Sequence, residues 1–246
     1  AKRLGWLESP VLMADSLERI QTFADQVQRD GFTDVVLLGM GGSSLAPEVI
    51  RQTFGISSFH VLDTTHPSAV RRLEERVDLD RTLFIAASKS GTTLETRCQL
   101  EYFLARGGTF AAITDPGAEL DELARQRDFA WVVHGEPTIG GRYSALSPFG
   151  MVPAALMDLE VGQLLERAEA MAQWCRLDDD NPGLEFGMQL GESWSEGRDK
   201  VCIDETPGGF GLWAEQLVAE STGKDGRGLV PALGEDPGAG PDRQHG

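Results

Sequence analysis

Short apolar runs with almost no polar alternation constrain this chain most. Asp34–Leu38, Phe59–Asp63, Thr82–Ala87, Thr109–Ile113 and Phe129–Val133 are each dominated by aliphatic and aromatic residues. A strand that is apolar along its whole length is buried on both faces, which calls for a parallel sheet with helices on each side. Helical patterns fill the gaps, at 45–54, 67–77, 93–106 and 119–127. The alternation predicts an α/β fold, a doubly wound parallel sheet in three α/β/α layers, from about Gly31 to Asp158.

The remainder is organised differently. Residues 1–30 read as an N-terminal helical segment, and 159–246 as a helical connection followed by the beginning of a second α/β unit. Val161–Trp174 and Leu184–Ser195 carry helical spacing, Lys200–Asp204 reads as a strand and Trp213–Thr222 as the helix after it. One strand and one helix bury no core of their own, so the second unit reads as unfinished. Gly234–Gly246, rich in Gly, Pro and Asp, reads as a loop or frayed end. The triplet Asp178–Asp180 reads as a solvated loop, because no His or Glu stands nearby at metal-ligand spacing. The chain lacks an initiator Met and is expected to be processed or cut from something longer. It shows no secretory signal pattern, and no apolar run reaches the roughly 18 residues of a membrane helix.

A formal net charge of -17 disfavours a nucleic-acid partner, which calls for a basic surface. Cys98, Cys175 and Cys202 are odd in number and widely spaced. That argues against a disulfide framework or zinc site and for a reducing cytoplasm, with the thiols serving as small apolar filler in helices and strands.

Four segments carry chemistry. Gly39-Met40-Gly41-Gly42-Ser43-Ser44 joins a strand to a helix, where glycines admit a ligand to the backbone and the helix N-terminus attracts anions. A dinucleotide fingerprint would need a third glycine where Ser44 stands, although Asp63 sits where a ribose-binding acid would; a plain turn with Ser44 as helix cap is the bland reading. Ser88-Lys89-Ser90-Gly91-Thr92-Thr93 gathers four hydroxyls, a lysine and a helix start. It suits a phosphomonoester and lacks the spacing of a nucleotide triphosphate loop. Gly140-Gly141-Arg142-Tyr143-Ser144 presents an arginine on a glycine-rich backbone, which by itself reads rather as a surface ion pair. In Trp213–Lys224, Gln216 and Glu220 share one helix face, with Gly223-Lys224 as the stop. Glu220 lies in the last turn, where the helix dipole disfavours negative charge and is expected to push its pKa up toward that of a general base.

Together, and in this order, the four segments resemble the phosphoglucose isomerase family, over residues 39 to 224. Gly-Met-Gly-Gly-Ser-Ser-Leu-Ala-Pro-Glu is most similar to the isomerase part of the bacterial bifunctional transaldolase/phosphoglucose isomerases. The resemblance implies flavodoxin-like sugar isomerase (SIS) domains, the second only begun here, and a homodimer in the cytoplasm. It also implies interconversion of glucose 6-phosphate and fructose 6-phosphate through a cis-enediol, with no metal or redox cofactor. By motif, Ser88, Lys89, Ser90 and Thr93 would hold the phosphate, and Gly42 and Ser43 would border the sugar. Arg142 would sit near the enediolate, Gln216 would position substrate, and Glu220 would carry the proton. The family's ring-opening histidine and C-terminal lysine have no match. His60, His66 and His134 fall in the wrong places, and His245 follows a glutamine as the family's histidine does, in different surroundings. The alternative reading is a non-catalytic sugar-phosphate-binding SIS module, which would need the hydroxyl turn but not Glu220. A nicotinamide dehydrogenase is disfavoured by Ser44. An aminosugar isomerase is disfavoured by the arginine and glutamate segments.

Overall fold

A computed structural model describes residues 3–203 and 208–235. In chain order the helices and strands are α1 (Ser9–Ala14), α2 (Leu17–Arg29), β1 (Asp34–Gly39), α3 (Leu45–Thr53), β2 (Phe59–Leu62), α4 (Pro67–Arg76), β3 (Thr82–Ala87), α5 (Leu94–Leu104), β4 (Thr109–Thr114), α6 (Glu119–Gln126) and β5 (Trp131–His134). Beyond these lie α7 (Pro148–Leu156), α8 (Val161–Trp174), α9 (Pro182–Ser195), β6 (Lys200–Ile203), α10 (Phe210–Thr222) and β7 (Val230–Leu233).

The first five strands form one parallel sheet in the order β2-β1-β3-β4-β5. Every strand lies where its apolar run predicts. Successive side chains point to opposite faces, so each strand feeds two cores. Val35, Leu37, Ile85 and Ile113 face α2, α7 and α8, meeting Ile20, Met151, Val152 and Leu165. Val36, Leu38, Phe84 and Ala112 face α4, α5 and α6, meeting Leu73, Leu100, Phe103 and Leu120. In α2 the buried residues Ile20, Ala24 and Val27 recur at helical spacing, which lays one stripe on the sheet. From β1 the chain crosses to β2 on one side, and β3 joins on the other. The loops leaving β1 and β3 therefore diverge at their carboxyl ends and open a crevice there.

The second unit is fuller than the sequence predicts. Val230–Leu233 is a strand, β7, paired in parallel with β6 across α10. Gly208 and Gly209 pack this unit onto the end of α3: a Cβ on Gly208 would stand 2.0 Å from Thr53 Oγ1. In α9, by contrast, nothing is buried, and Leu184, Phe186 and Met188 are exposed. The thiols also depart from expectation: Cys98, Cys175 and Cys202 are all exposed, with Cys98 on the face of α5 opposite its buried Thr96, Gln99, Leu100 and Phe103. Asp178–Asp180 is an exposed loop. Asp204, most of the terminal Gly/Pro-rich stretch and His245 lie outside the described residues.

Candidate functional site

Gly39 and Ala87 pair as the last residues of β1 and β3, so the segments after them open side by side at the crevice. In the turn after β3, the Ser88 hydroxyl shares a 3.1 Å hydrogen bond with Thr93 Oγ1 and accepts from the Gly91 N–H at 3.1 Å. Gly91 has φ +72°, and a Cβ there would stand 2.2 Å from the Leu120 nitrogen, so only glycine fits. Thr93 is the N-cap residue of α5 yet makes no side-chain cap, while Ser90 and Thr92 bond each other at 2.7 Å. The first turn of α5 therefore presents uncapped N–H groups and the positive end of its dipole to the crevice. Lys89, Ser90 and Thr93 line the cavity there. Ser88 does not: only 4% exposed, it braces the turn from below rather than facing a ligand. Lys89 is committed as well, its Nζ donating to Asp115 Oδ1 at 2.7 Å and to the Glu136 carbonyl at 2.9 Å.

The glycine loop works differently from the sequence reading. A Cβ on Gly42 would lie 2.3 Å from the Gly141 carbonyl oxygen and 3.0 Å from the Arg142 nitrogen. Gly42 is thus a glycine because the backbone of the arginine segment lies against it. The Ser144 hydroxyl spans the junction, within 3.0 Å of the Gly42 carbonyl and 2.6 Å of the Gly141 carbonyl. Ser44 is fully buried and donates back to the Gly41 carbonyl at 3.2 Å instead of capping α3. Gly42 and Ser43 still border the cavity.

These contacts deliver Arg142 to α10. Its Nη1 donates to Glu220 Oε1 at 3.0 Å, and its Nε to the Ser221 hydroxyl at 2.9 Å. Gln216, one turn earlier on α10, donates to Glu220 Oε2 at 3.4 Å. The Lys224 ammonium holds the Glu220 carbonyl at 2.7 Å. The guanidinium supplies the counter-charge that the helix end withholds, so an ion pair across the crevice opposes the helix dipole at Glu220.

The cavity between these segments measures about 960 Å³. Among the described residues, three cations on its wall, Arg3, Lys89 and Arg142, face two carboxylates, Asp115 and Glu220, leaving one net positive charge. An otherwise strongly acidic protein thus concentrates positive charge at one crevice, as an anionic ligand requires. Trp6 and Asp115 belong to this wall and were not singled out in the sequence, and Tyr143 was read there only as a neighbour of Arg142. Asp115 stands directly after β4, and its signal was its position at the carboxyl end of a parallel strand. Trp6 carries no comparable signal. The loop 115–118 is fixed by Asp121, a buried carboxylate that accepts from the Gly117 N–H at 2.7 Å, from His134 at 3.1 Å and from Arg125. Burial pushes the Asp121 carboxyl up, but these donors outweigh it and hold it at about 2.

No described histidine lines the cavity. His60 bonds Asp34 at 2.8 Å, His66 caps α4, and His134 bonds Asp121. Among the described residues no cluster of His, Cys, Asp and Glu forms a metal site, and no helix is long and apolar enough to cross a membrane.

The profile of the family described as Phosphoglucose isomerase matches residues 13–177. Glucose-6-phosphate isomerases from Cyanothece and from a Synechococcus strain are each 32% identical over 89% of this chain. The chain spans about half the length of these curated relatives, 49% and 48%. Among solved structures, a hypothetical protein from Thermus thermophilus superposes with a TM-score of 0.83 at 28% identity, over 100% of this chain and 62% of its own. A glucose-6-phosphate isomerase from Chlamydia trachomatis shares the fold, with a TM-score of 0.76 at 24% identity over 94% of this chain and 49% of its own.

Proposed function

The chain belongs to the phosphoglucose isomerase family, and from that premise we propose that it interconverts glucose 6-phosphate and fructose 6-phosphate by proton transfer through a cis-enediol. The observation that carries the reading is the Arg142–Glu220 pair, which faces the hydroxyl turn across one cavity. The phosphate of the substrate takes the uncapped first turn of α5, with the hydroxyls of Ser90 and Thr93 and the ammonium of Lys89. Its two negative charges exceed the single net positive charge of the wall, so it draws Lys89 from Asp115. The sugar then runs past Gly42 and Ser43 toward α10.

Chemistry needs one base and one cation. Glu220 takes the proton from C2 of the open-chain aldose, and the C–H electrons form the C1–C2 double bond while O1 becomes an oxyanion. Arg142 turns from Glu220 to that oxyanion and lowers its energy. Glu220 then returns the proton to C1. The proton on O2 passes to O1, and C2 becomes the carbonyl of the ketose. Gln216 holds Glu220 in line throughout. These steps move protons only and call for neither metal nor redox cofactor. On the same reading the protein works as a cytoplasmic homodimer.

The test is turnover of fructose 6-phosphate by the longest natural form of the protein, beside Glu220→Gln. We expect Glu220→Gln to lower kcat by roughly 10²–10⁴-fold while sugar-phosphate affinity holds within a few-fold. Wild-type protein that binds fructose 6-phosphate without ever converting it would replace the reading by that of a non-catalytic binding module.

A further inference from the structure

We propose that Trp6, Tyr143 and Ser221 are positioning residues that aim Arg142, which makes the N-terminal turn a working part of the sugar site. The proposal rests on the isomerase reading for its consequence in turnover, and on geometry alone for the positioning itself.

Arg142 is held at three points besides the cavity. Its Cζ lies 4.6 Å from the centre of the Tyr143 ring, its Nε donates to Ser221, and its Nη1 meets Glu220. The Tyr143 hydroxyl also meets the Ser221 hydroxyl, at 2.9 Å. A hydroxyl has one proton and two lone pairs, so Ser221 serves both neighbours at once. Ring, guanidinium and hydroxyl thus form one closed unit beside the carboxylate. Trp6 stacks on Tyr143, with centroids 5.0 Å apart and planes within 11°. Stacking fixes the ring plane, and the ring plane fixes where the guanidinium lies.

The turn carrying Trp6, Gly5–Glu8, is itself anchored on both sides. The Gly5 N–H donates to the Thr138 carbonyl at 3.2 Å, and a Cβ on Gly5 would stand 2.0 Å from Thr138 Oγ1. Downstream, Ser9, Pro10 and Met13 are buried under α8. Arg176 reaches back to Glu8 at 3.1 Å. A tryptophan serving only as core filler would be buried. Trp6 is half-buried, on the cavity wall, against the Tyr143 ring that touches Arg142.

The experiment compares wild type with Trp6→Ala, Trp6→Phe and Tyr143→Phe by three measurements. These are hydrogen exchange of the Arg142 Nε–H by NMR, kcat and KM for fructose 6-phosphate, and Tm as the control for folding. In Trp6→Ala and Tyr143→Phe we expect the Arg142 Nε–H to exchange at least about tenfold faster. We expect kcat to fall about tenfold with KM within about threefold, since the lost contact orients the cation and does not bind the phosphate. Trp6→Phe keeps a stacked ring and should restore both. If Trp6→Ala does not fold, Trp6→Leu, which fills the space without a stacked ring, decides by the same readouts. Unchanged exchange and unchanged kcat in a folded variant overturn the proposal while leaving the isomerase reading intact. Protected, Trp6-dependent exchange in a wild type without turnover sinks the isomerase reading and upholds the positioning.

Discussion

Replacing Gly42 by alanine drives a methyl group into main chain. The new Cβ would lie 2.3 Å from the Gly141 oxygen, 2.5 Å from the Gly141 carbonyl carbon and 3.0 Å from the Arg142 nitrogen. Ordinary contact begins at 3.4 Å, so the two backbones must part by about 1 Å, and neither has a side chain that could rotate away. Overpacking of this kind costs about 1–3 kcal/mol. The Ser144 hydrogen bonds that span the junction must lengthen with it, at a further cost of about 0.5–1.5 kcal/mol. The total corresponds to a Tm lowered by roughly 5–15 °C for a chain of this size. Arg142 is next in the chain, so the same displacement carries its guanidinium off Glu220, and turnover should fall by about 100-fold. The control is the neighbour across the junction: a Cβ on Gly141 meets nothing within 4 Å. Gly141→Ala should leave Tm within about 2 °C. Thermal unfolding, urea midpoints and the fructose 6-phosphate assay read all of this. If Gly42→Ala proves as stable and as active as Gly141→Ala, the backbone junction does not hold the two motifs together.

Single residues carry three further expectations. The Asp121 carboxyl is held at about 2 against 3.8 in the unfolded chain, so its stabilisation is whole above about pH 4 and is lost as the pH falls toward 2; wild type should lose urea resistance over that window more steeply than Asp121→Asn, and parallel curves would show that Asp121 contributes nothing there. Asp115→Asn frees Lys89 from its carboxylate and should tighten inorganic phosphate several-fold by calorimetry, whereas weaker binding would show that Asp115 aims the ammonium rather than competing for it. Titration of the folded chain with a thiol reagent should register Cys98, Cys175 and Cys202 without denaturant, and a thiol that reacts only after unfolding would contradict its exposure.

The sheet was legible because its strands are buried on both faces, and continuous apolar runs such as Thr82–Ala87 have few other uses. The elements that escaped did so for physical reasons. Strand β7 is four residues with Pro231 inside, which disqualifies a central strand; in a two-stranded sheet both strands are edges, and the missing N–H costs little. Helix α7 is apolar all round and fully enclosed from Pro148 to Ala155, so it shows no amphipathic stripe to read. At the site, chemistry-bearing residues gathered in short motifs were visible, and the cavity holds Lys89, Ser90, Thr93, Arg142, Gln216 and Glu220 together. Their mutual restraints were not. That Lys89 is bound to Asp115, that Ser88 faces inward, and that Gly42 answers to Gly141 are facts of tertiary approach, set by residues 26, 5 and about a hundred positions away. Trp6 stands alone in sequence and acquires meaning only from the residues that the fold sets beside it.

The proposed base and the proposed phosphate cradle sit on different units. Glu220 rides on α10, which buries only Gly211 and Ala214 among its own residues, whereas the hydroxyl turn follows β3, a strand buried along its whole length. For a ligand spanning both units, the measured affinity is the intrinsic affinity scaled by the fraction of molecules in which α10 is docked. A docked fraction of about one in ten would weaken apparent binding about tenfold without altering a single contact in the bound state. On the proposed reading, a sugar phosphate anchored on α5 and reaching Glu220 acts as a clasp as well as a substrate, and its arrival should be visible as slowed exchange along α10.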